Sequence, residues 1–434
     1  MKSPSVRVEC PEWVDPEDVY VALCGDAENS FWLDAGVDAV QGWSWVGVGL
    51  PGRDHDAPPR VHIDPGAGSA SGPTVGGWVG WMDYDSAARG AGVPAHVEAP
   101  GGRGMRVDWC IGFDHAREAV VLIAAPTRID AVMAAVARVA VAPPVAPAPR
   151  LEAVARHRPD AYVRAIAACR RAIREGEAYQ LCLTTRFEVA TRADAVAVFR
   201  RLRAATGSHH AGLIRAGEVA LASASPERFL EIDRGRVTTH PIKGTRPRHG
   251  DPVADRAAAD ELRASGKERA ENVMIVDLMR NDLSRVCQPG SVRVPRLLAV
   301  ESYPAVHQLV STVTGRLRVG ASTTDVLAAT FPAGSMTGAP KVSAMTILHG
   351  LERGPRGVFA GCFGWVGENG AADLAMVIRS VLVEPHRAVV GAGGGITWRS
   401  VPEAEVAEVA VKARAPLAAV GAELPEAWRR AGRA

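Results

Sequence analysis

Apolar residues along the chain change period several times, and each change predicts an element. Tyr162, Ile166, Cys169 and Ile173 recur at the three- and four-residue spacing that gathers side chains on one helix face, and Gly176 follows as a stop. From Tyr179 to Val189 the period becomes two. Tyr179, Leu181, Leu183, Phe187 and Val189 share one side, with Gln180, Cys182, Thr184, Arg186 and Glu188 on the other, which predicts a half-buried strand with a polar face. Further strands are predicted at 219–232, 358–366 and 376–383, and helices at 255–283, 324–329 and 403–417. Before these, alternating runs such as VRVECPEW and the glycine- and tryptophan-rich GGWVGWMDYD predict a mainly β region. VAPPVAPAPR, residues 141–150, carries four prolines that suit neither a helix nor an inner strand, so it is predicted to connect a region spanning 1–145 with a second spanning 155–420. Strands and helices mix without an even βαβ rhythm, and the expected class is α+β, with sheets flanked by helices.

Composition narrows the possibilities. With 434 residues, 47% of them apolar, the chain can bury a large core. Its 50 basic and 48 acidic residues are scattered, and without a basic block nucleic acid is not an expected partner. No run approaches the roughly 18 apolar residues of a membrane span, and MKSPSVRVECPEW lacks a secretory core, so a cytoplasmic protein with no membrane partner is expected. The seven cysteines are far apart and never form C-x-x-C, which reads as reduced core residues.

Two acidic pairs could carry chemistry. Glu268 and Glu271 are three apart on a predicted helix, and Glu405 and Glu408 repeat that spacing on another, which begins with a possible capping box from Ser400 to Glu403. One carboxylate from each of two facing helices would suit Mg²⁺, which takes oxygen ligands and keeps several waters. The same spacing is also that of a solvated face. GAGGGITW, from Gly391 to Trp398, offers either a structural turn or backbone amides able to cradle a carboxylate. AGSMTGAPK lacks the spacing of a phosphate loop, which argues against nucleotide binding. Lys243, between Ile242 and Gly244, is either a surface lysine in a turn or a nucleophile activated by its surroundings. Glu227, just after Ser225 and Pro226, could act as a general acid or base. His307 is equally compatible with a hydrogen-bonded core histidine and a catalytic one.

Taken in order, AYQLCLTTRF, SASPERFL, PIKGTRPR, KERAENVMIVDLMRNDLSRV, FPAGSMTGAPK, GAGGGI and the E-x-x-E before VKA closely resemble the chorismate-utilising enzymes, from about Tyr162 to Leu417. FWLDAG and GGWVGWMDYD match the N-terminal part of anthranilate synthase component I more loosely. The resemblance implies two packed antiparallel β-sheets with helices outside and chorismate in the cleft between them. Relatives that add water have a lysine base where this chain has Gln180, so the resemblance implies amination. Anthranilate synthases usually have a small residue at the position of Lys243, whereas aminodeoxychorismate synthases have lysine, thought to attack the ring and expel its 4-hydroxyl.

The resemblance further implies Mg²⁺ held directly by Glu271 and Glu408, with Glu268 and Glu405 acting through metal-bound water. It gives Glu227 the role of general acid or base and places His307 near the reacting ring. Arg379 would pair with the enolpyruvyl carboxylate, and Thr337 with the amides of Gly393, Gly394 and Gly395 would bind the other. Trp365 replaces a usual tyrosine at a substrate contact, Arg399 replaces an acidic residue, and SHHAGL, residues 208–213, replaces an N-P-x-P-Y segment that helps form a tryptophan pocket in many relatives. No glutaminase motif is visible, and ammonia is expected from a glutamine amidotransferase subunit, giving a heterodimer. The rival expectations are anthranilate synthase component I and a non-catalytic, ligand-binding regulatory subunit.

Overall fold

The computed structural model describes residues 5–51, 56–66, 71–96, 101–303 and 306–432. Among them, 20 strands join in one antiparallel network, and only the short pair Leu151–Glu152 and Ala422–Glu423 is parallel. The network has two arms that meet at the long strand Arg103–Asp114. One arm runs from that strand through Trp43–Leu50, Asn29–Asp34, His210–Ala216, Val219–Ser225, Ser380–Glu384 and Arg387–Ile396 to Gln180–Ala190. The other leaves through Trp78–Met82, Cys362–Val366, Ala372–Met376, Arg228–Asp233 and Arg236–Thr239 to Val306–Arg316, which also pairs with Ile242–Pro247 and Arg293–Ser302.

Burial follows this plan. A cluster including Phe31, Trp45, Ile214, Leu221, Trp81, Phe363 and Trp365 draws on both arms and fills the layer between them. Helices cover the outer faces. Tyr162, Ile166, Val409, Ala413 and Trp428 join the strand residues Leu181 and Phe187 on one arm, while Ile275, Met279 and Val326 join Leu230 and Leu374 on the other. The fold is therefore α+β, as the sequence predicts. Strands from before and after the proline-rich segment pair with each other, Asn29–Asp34 with His210–Ala216 and Trp78–Met82 with Cys362–Val366, so both regions build the same sheets.

Several elements differ from the sequence expectation in ways that matter for the site. The predicted 255–283 helix is two helices, Pro252–Ala264 and Gly266–Ser284, separated by Ser265, whose side chain caps the second by accepting from the Glu268 amide. The 219–232 strand breaks at Pro226 and Glu227. Helix Pro402–Val420 starts from Val401 with no side-chain cap, so the expected Ser400–Glu403 capping box is absent: the Ser400 hydroxyl instead accepts from the Thr397 amide. Strand Gln180–Ala190 is buried on both faces over most of its length, so its polar side faces protein interior.

Arg356 shows how such polar groups are held. Its guanidinium donates to both carboxylate oxygens of Glu352 at 2.8 Å and to the carbonyls of Met336 and Cys182 at 2.6 and 2.8 Å. Glu352 also accepts from the Thr184 amide at 2.9 Å. Replacing Arg356 with methionine leaves the Glu352 charge buried and unpaired, and is expected to destabilise the fold by about 3–5 kcal/mol. Urea unfolding of the two proteins measures this, and a loss below about 1 kcal/mol would contradict the account.

Candidate active site

A cavity of about 400 Å³ opens between the glycine-rich strand, strand Ile242–Pro247 and the two helices that carry the acidic pairs. Lys243 reaches it because strand Ile242–Pro247 bulges. The pairing with Val306–Arg316 shifts register between Lys243 and Thr245, and Gly244 takes φ +76, a conformation suited to glycine. A Cβ on Gly244 would come within 2.7 Å of Leu262 and 2.9 Å of Glu268, so the helix pair packs directly on this bend. Glu227 occupies the break after Ser225, where its carboxylate accepts from Ser335 Oγ at 3.0 Å.

The wall beneath is strand Arg387–Ile396. Its glycine run is extended backbone paired residue by residue with Gln180–Ala190, not the turn considered from the sequence. The next strand, Ser380–Glu384, pairs only as far as Val389, so the opposite edge of the run is left open beside the cavity. Glycine is required by close approach: a Cβ on Gly393 would be 2.4 Å from the Leu183 carbonyl oxygen, and one on Gly395 would be 2.3 Å from Gln180 Nε2.

The acidic pairs converge. Lys267 Nζ is 3.9 Å from Glu271 and 4.0 Å from Glu405, one carboxylate from each helix. Glu268, Glu271, Glu405 and Glu408 together outweigh its burial and raise the Lys267 pKa. Burial raises Glu271 against the opposing pull of Lys243 and Lys267, and raises Glu405 despite a hydrogen bond from Ser400. Glu408 goes the other way: burial pushes it up, but Lys412, 2.6 Å away, together with Lys267 and Lys243 holds it below the ordinary range. Burial raises Glu227, with Lys243 and the Ser335 hydrogen bond opposing. Arg379, on the cavity wall, adopts φ +52, a conformation that costs a non-glycine residue of order 1–3 kcal/mol, and makes no ion pair among the described residues.

The donor set fits a hard divalent cation that keeps its water. Glu271 Oε1 is buried without a hydrogen-bond partner, and acidic oxygens outnumber the lysines around them. Among the described residues no three side chains of the His, Cys, Asp or Glu type form a ready-made metal cage, so a bound ion would take few direct protein ligands.

Of the residues singled out in the sequence, Glu227, Lys243, Glu268, Glu271, Arg379, Gly393, Gly394, Gly395 and Glu408 line this one cavity. Glu405 is buried behind Gly394, and Gln180 lies against Gly395. Thr337 is fully buried and donates its hydroxyl to Ala333 and Gly334 carbonyls, so it does not reach the cavity. Trp365 does not reach it either; it is packed in the apolar layer between the arms, and the expected substrate contact is corrected accordingly.

His307 is the most instructive correction. Strand alternation turns it away from the cavity, where its Nε2 meets Asp255 at 3.0 Å and its Nδ1 meets Ser302 at 2.8 Å. The neighbouring Gln308 faces the cavity instead, 4% exposed and with Oε1 lacking a partner. Sequence reasoning passed over Gln308, Lys267, Ser335 and Lys412, all of which line the site. Period-two counting along 306–316 separates Gln308 from His307 but does not say which of the two faces the cavity.

This geometry can be set beside known proteins. The family model described as chorismate binding enzyme matches residues 53–418. The chain belongs to the chorismate binding enzymes. It is 41% identical to an aminodeoxychorismate synthase of Streptomyces pristinaespiralis over 79% of this chain and 50% of that protein. It is 36% identical to anthranilate synthase component 1 of Streptomyces coelicolor over 94% of this chain and 86% of that one. Among solved structures, anthranilate synthase component I from Streptococcus pneumoniae superposes with a TM-score of 0.73 at 26% identity, covering 95% of this chain and 99% of that one. The chain spans about half the length of the Streptomyces aminodeoxychorismate synthases it matches. Among the described residues no helix of this family member is long and apolar enough to cross a membrane.

The raised Glu227 pKa has a consequence for stability. The folded chain keeps this proton over a pH range in which the unfolded chain has lost it, so stability falls as pH rises from an ordinary glutamate pKa of about 4.3 through the raised value. Glu227→Gln, which retains an acceptor for Ser335, is expected to melt higher than the parent at about pH 7 and no higher at about pH 4. A melting difference that is the same at both pH values would contradict this.

Proposed function

We propose that the chain is the chorismate-binding, aminating component of an aminodeoxychorismate synthase, converting chorismate and ammonia to 4-amino-4-deoxychorismate and water. The observation that carries the reading is the cavity shared by Lys243, Glu227 and the carboxylates of Glu268, Glu271 and Glu408, with Glu405 buried directly behind Gly394. The name borne by the Streptomyces pristinaespiralis relative supports the choice of branch.

In this reading Lys243 Nζ, as the free amine, bonds to ring carbon 2. The diene electrons shift, the carbon–oxygen bond at carbon 4 breaks, and the hydroxyl leaves as water with the proton of Glu227. Burial raises the Glu227 pKa in the direction that keeps this proton available. Ammonia then bonds to carbon 4, the electrons shift back, and the carbon 2–nitrogen bond breaks to return the lysine amine. The carboxylate of Glu227 takes the surplus proton from the new ammonium group, which restores the acid. Splitting a slow displacement into two additions is the gain from a covalent lysine.

Arg379 can pair with the enolpyruvyl carboxylate in two-point geometry, and the open glycine edge can approach the substrate without side chains in the way. Mg²⁺ is the proposed cofactor, with Glu271 and Glu408 as direct ligands and Glu268 and Glu405 acting through water. When bound, it supplies positive charge that stabilises the substrate's ring carboxylate. Ammonia is proposed to come from a glutamine amidotransferase partner. The coverage and structural similarity to anthranilate synthase component I make that enzyme the second reading.

Incubating the chain with chorismate, Mg²⁺ and ammonium and identifying the product by mass spectrometry separates the two. A non-aromatic amino product is expected, and fluorescent anthranilate would support the rival. Lys243→Ala should lower product formation at least about tenfold, and unchanged turnover would rule out the covalent route. Chelation of Mg²⁺ with EDTA should abolish turnover reversibly, and full activity in EDTA would remove the metal from the scheme.

A further inference from the structure

We infer that Asn272 is a positioning residue, whose carboxamide fixes the helix carrying Glu268 and Glu271 against the strand carrying Lys243. It follows Glu271 directly in helix Gly266–Ser284 and is fully buried, so it touches no substrate and acts only through what it holds. Its effect on turnover rests on the aminating reading above; the placement of Lys243 against bound chorismate does not.

Asn272 Nδ2 donates to the Pro241 carbonyl at 3.2 Å and to the Leu309 carbonyl at 3.3 Å. Pro241 lies two residues before Lys243, and Leu309 is the register partner of Lys243 in the pairing of Ile242–Pro247 with Val306–Arg316. One helix side chain therefore holds both strands at the level of the lysine. The amide is oriented from its other end. Ser311 Oγ donates to Asn272 Oδ1 at 2.5 Å and itself accepts from the Leu298 amide at 2.9 Å. With Oδ1 fixed as the acceptor, both Nδ2 hydrogens go to the two carbonyls. Ser311 is also fully buried, so water does not compete for these bonds. Leu298 takes φ +56 where its strand shifts register between Arg296 and Ala299, a conformation that persists only where the surroundings enforce it.

Strand pairing alone constrains this bend weakly. The ladder shifts register between Lys243 and Thr245, and Gly244 brings no side chain to pack, so the bonds from Asn272 supply what the ladder lacks. The ring is anchored from the side of Glu271, while its carbon 2 must meet Lys243 Nζ. Sliding the strand past the helix therefore disturbs the attack geometry more than the binding, and a displacement of about 1 Å can cost on the order of a hundredfold in rate. Only a carboxamide serves here. Leucine has nearly the same volume but removes both donors, and aspartate turns them into acceptors facing carbonyl oxygens.

Acetylation of Lys243 by acetic anhydride, read by peptide mass spectrometry, reports the placement without any turnover. Chorismate with Mg²⁺ should slow this labelling about tenfold in the parent and less than about twofold in Asn272→Leu and Asn272→Asp, with calorimetry still giving one chorismate bound per chain. In the amination assay, kcat should fall at least about tenfold in both variants while the chorismate KM stays within about twofold. Adding Asn272→Leu to Lys243→Ala separates positioning from loss of folded enzyme. The residual turnover of Lys243→Ala should change less than about twofold, whereas a smaller folded fraction lowers turnover equally in both backgrounds. Ser311→Ala keeps both donors but frees the amide to turn, so it carries the test if the Asn272 variants do not fold; a loss of about threefold in kcat and in protection is expected. Parent-like protection of Lys243 in the variants, an unchanged kcat, or equal losses with and without the lysine would overturn the proposal. Lost protection in the variants, together with full turnover in Lys243→Ala, would count only against the aminating reading.

Discussion

The buried pairing of Arg356 with Glu352 is the constraint on which the site depends. The guanidinium ties the Cys182 carbonyl to that of Met336, and Glu352 holds the Thr184 amide. Those contacts join strand Gln180–Ala190 to the turn Gly334–Met336, which supplies the Ser335 hydroxyl to Glu227. The Tyr84 ring lies 4.2 Å from the same guanidinium, and Asp85 accepts from the Gly357 amide, so the N-terminal region is fastened at this point as well. Ions taken out of water are tolerated when they are paired and hydrogen-bonded, and here each of the three guanidinium nitrogens has an acceptor.

Around the cavity, charge is balanced differently. Two helices bring four carboxylates toward Lys267, Lys243 and Lys412, and burial makes an unpaired negative charge costly. The result is a division of labour between identical side chains. Glu408, close to Lys412, is stabilised as a carboxylate, while Glu227, with only a hydroxyl as hydrogen-bond partner, is biased toward the acid. Environment, rather than residue type, separates a group suited to holding a cation from one suited to giving up a proton.

The correspondence between sequence and structure is uneven for physical reasons. Helical spacing at Tyr162, Ile166 and Cys169 survives because one helix face is buried, and alternation from Leu181 to Val189 survives because successive side chains point to opposite faces, one of apolar core and one of buried polar groups. The acidic pairs were legible as shared helix faces. His307 was misplaced because two adjacent polar residues on a strand point to opposite sides, and which side is the cavity depends on the strand's neighbours. The glycine run was ambiguous because turns and tightly packed strands both require glycine; the pairing with Gln180–Ala190 decides for the strand.

The sequence by itself determined the class of fold, the irregular stretch at 141–150 and the acidic and basic residue types found around the cavity, since period, proline content and side-chain identity are local properties. Tertiary structure alone decided that Lys243 and Glu227 share a cavity with carboxylates from two distant helices, and that Gln308 rather than His307 faces it. Those outcomes depend on strand register and helix packing, which are fixed by contacts between residues far apart in the chain.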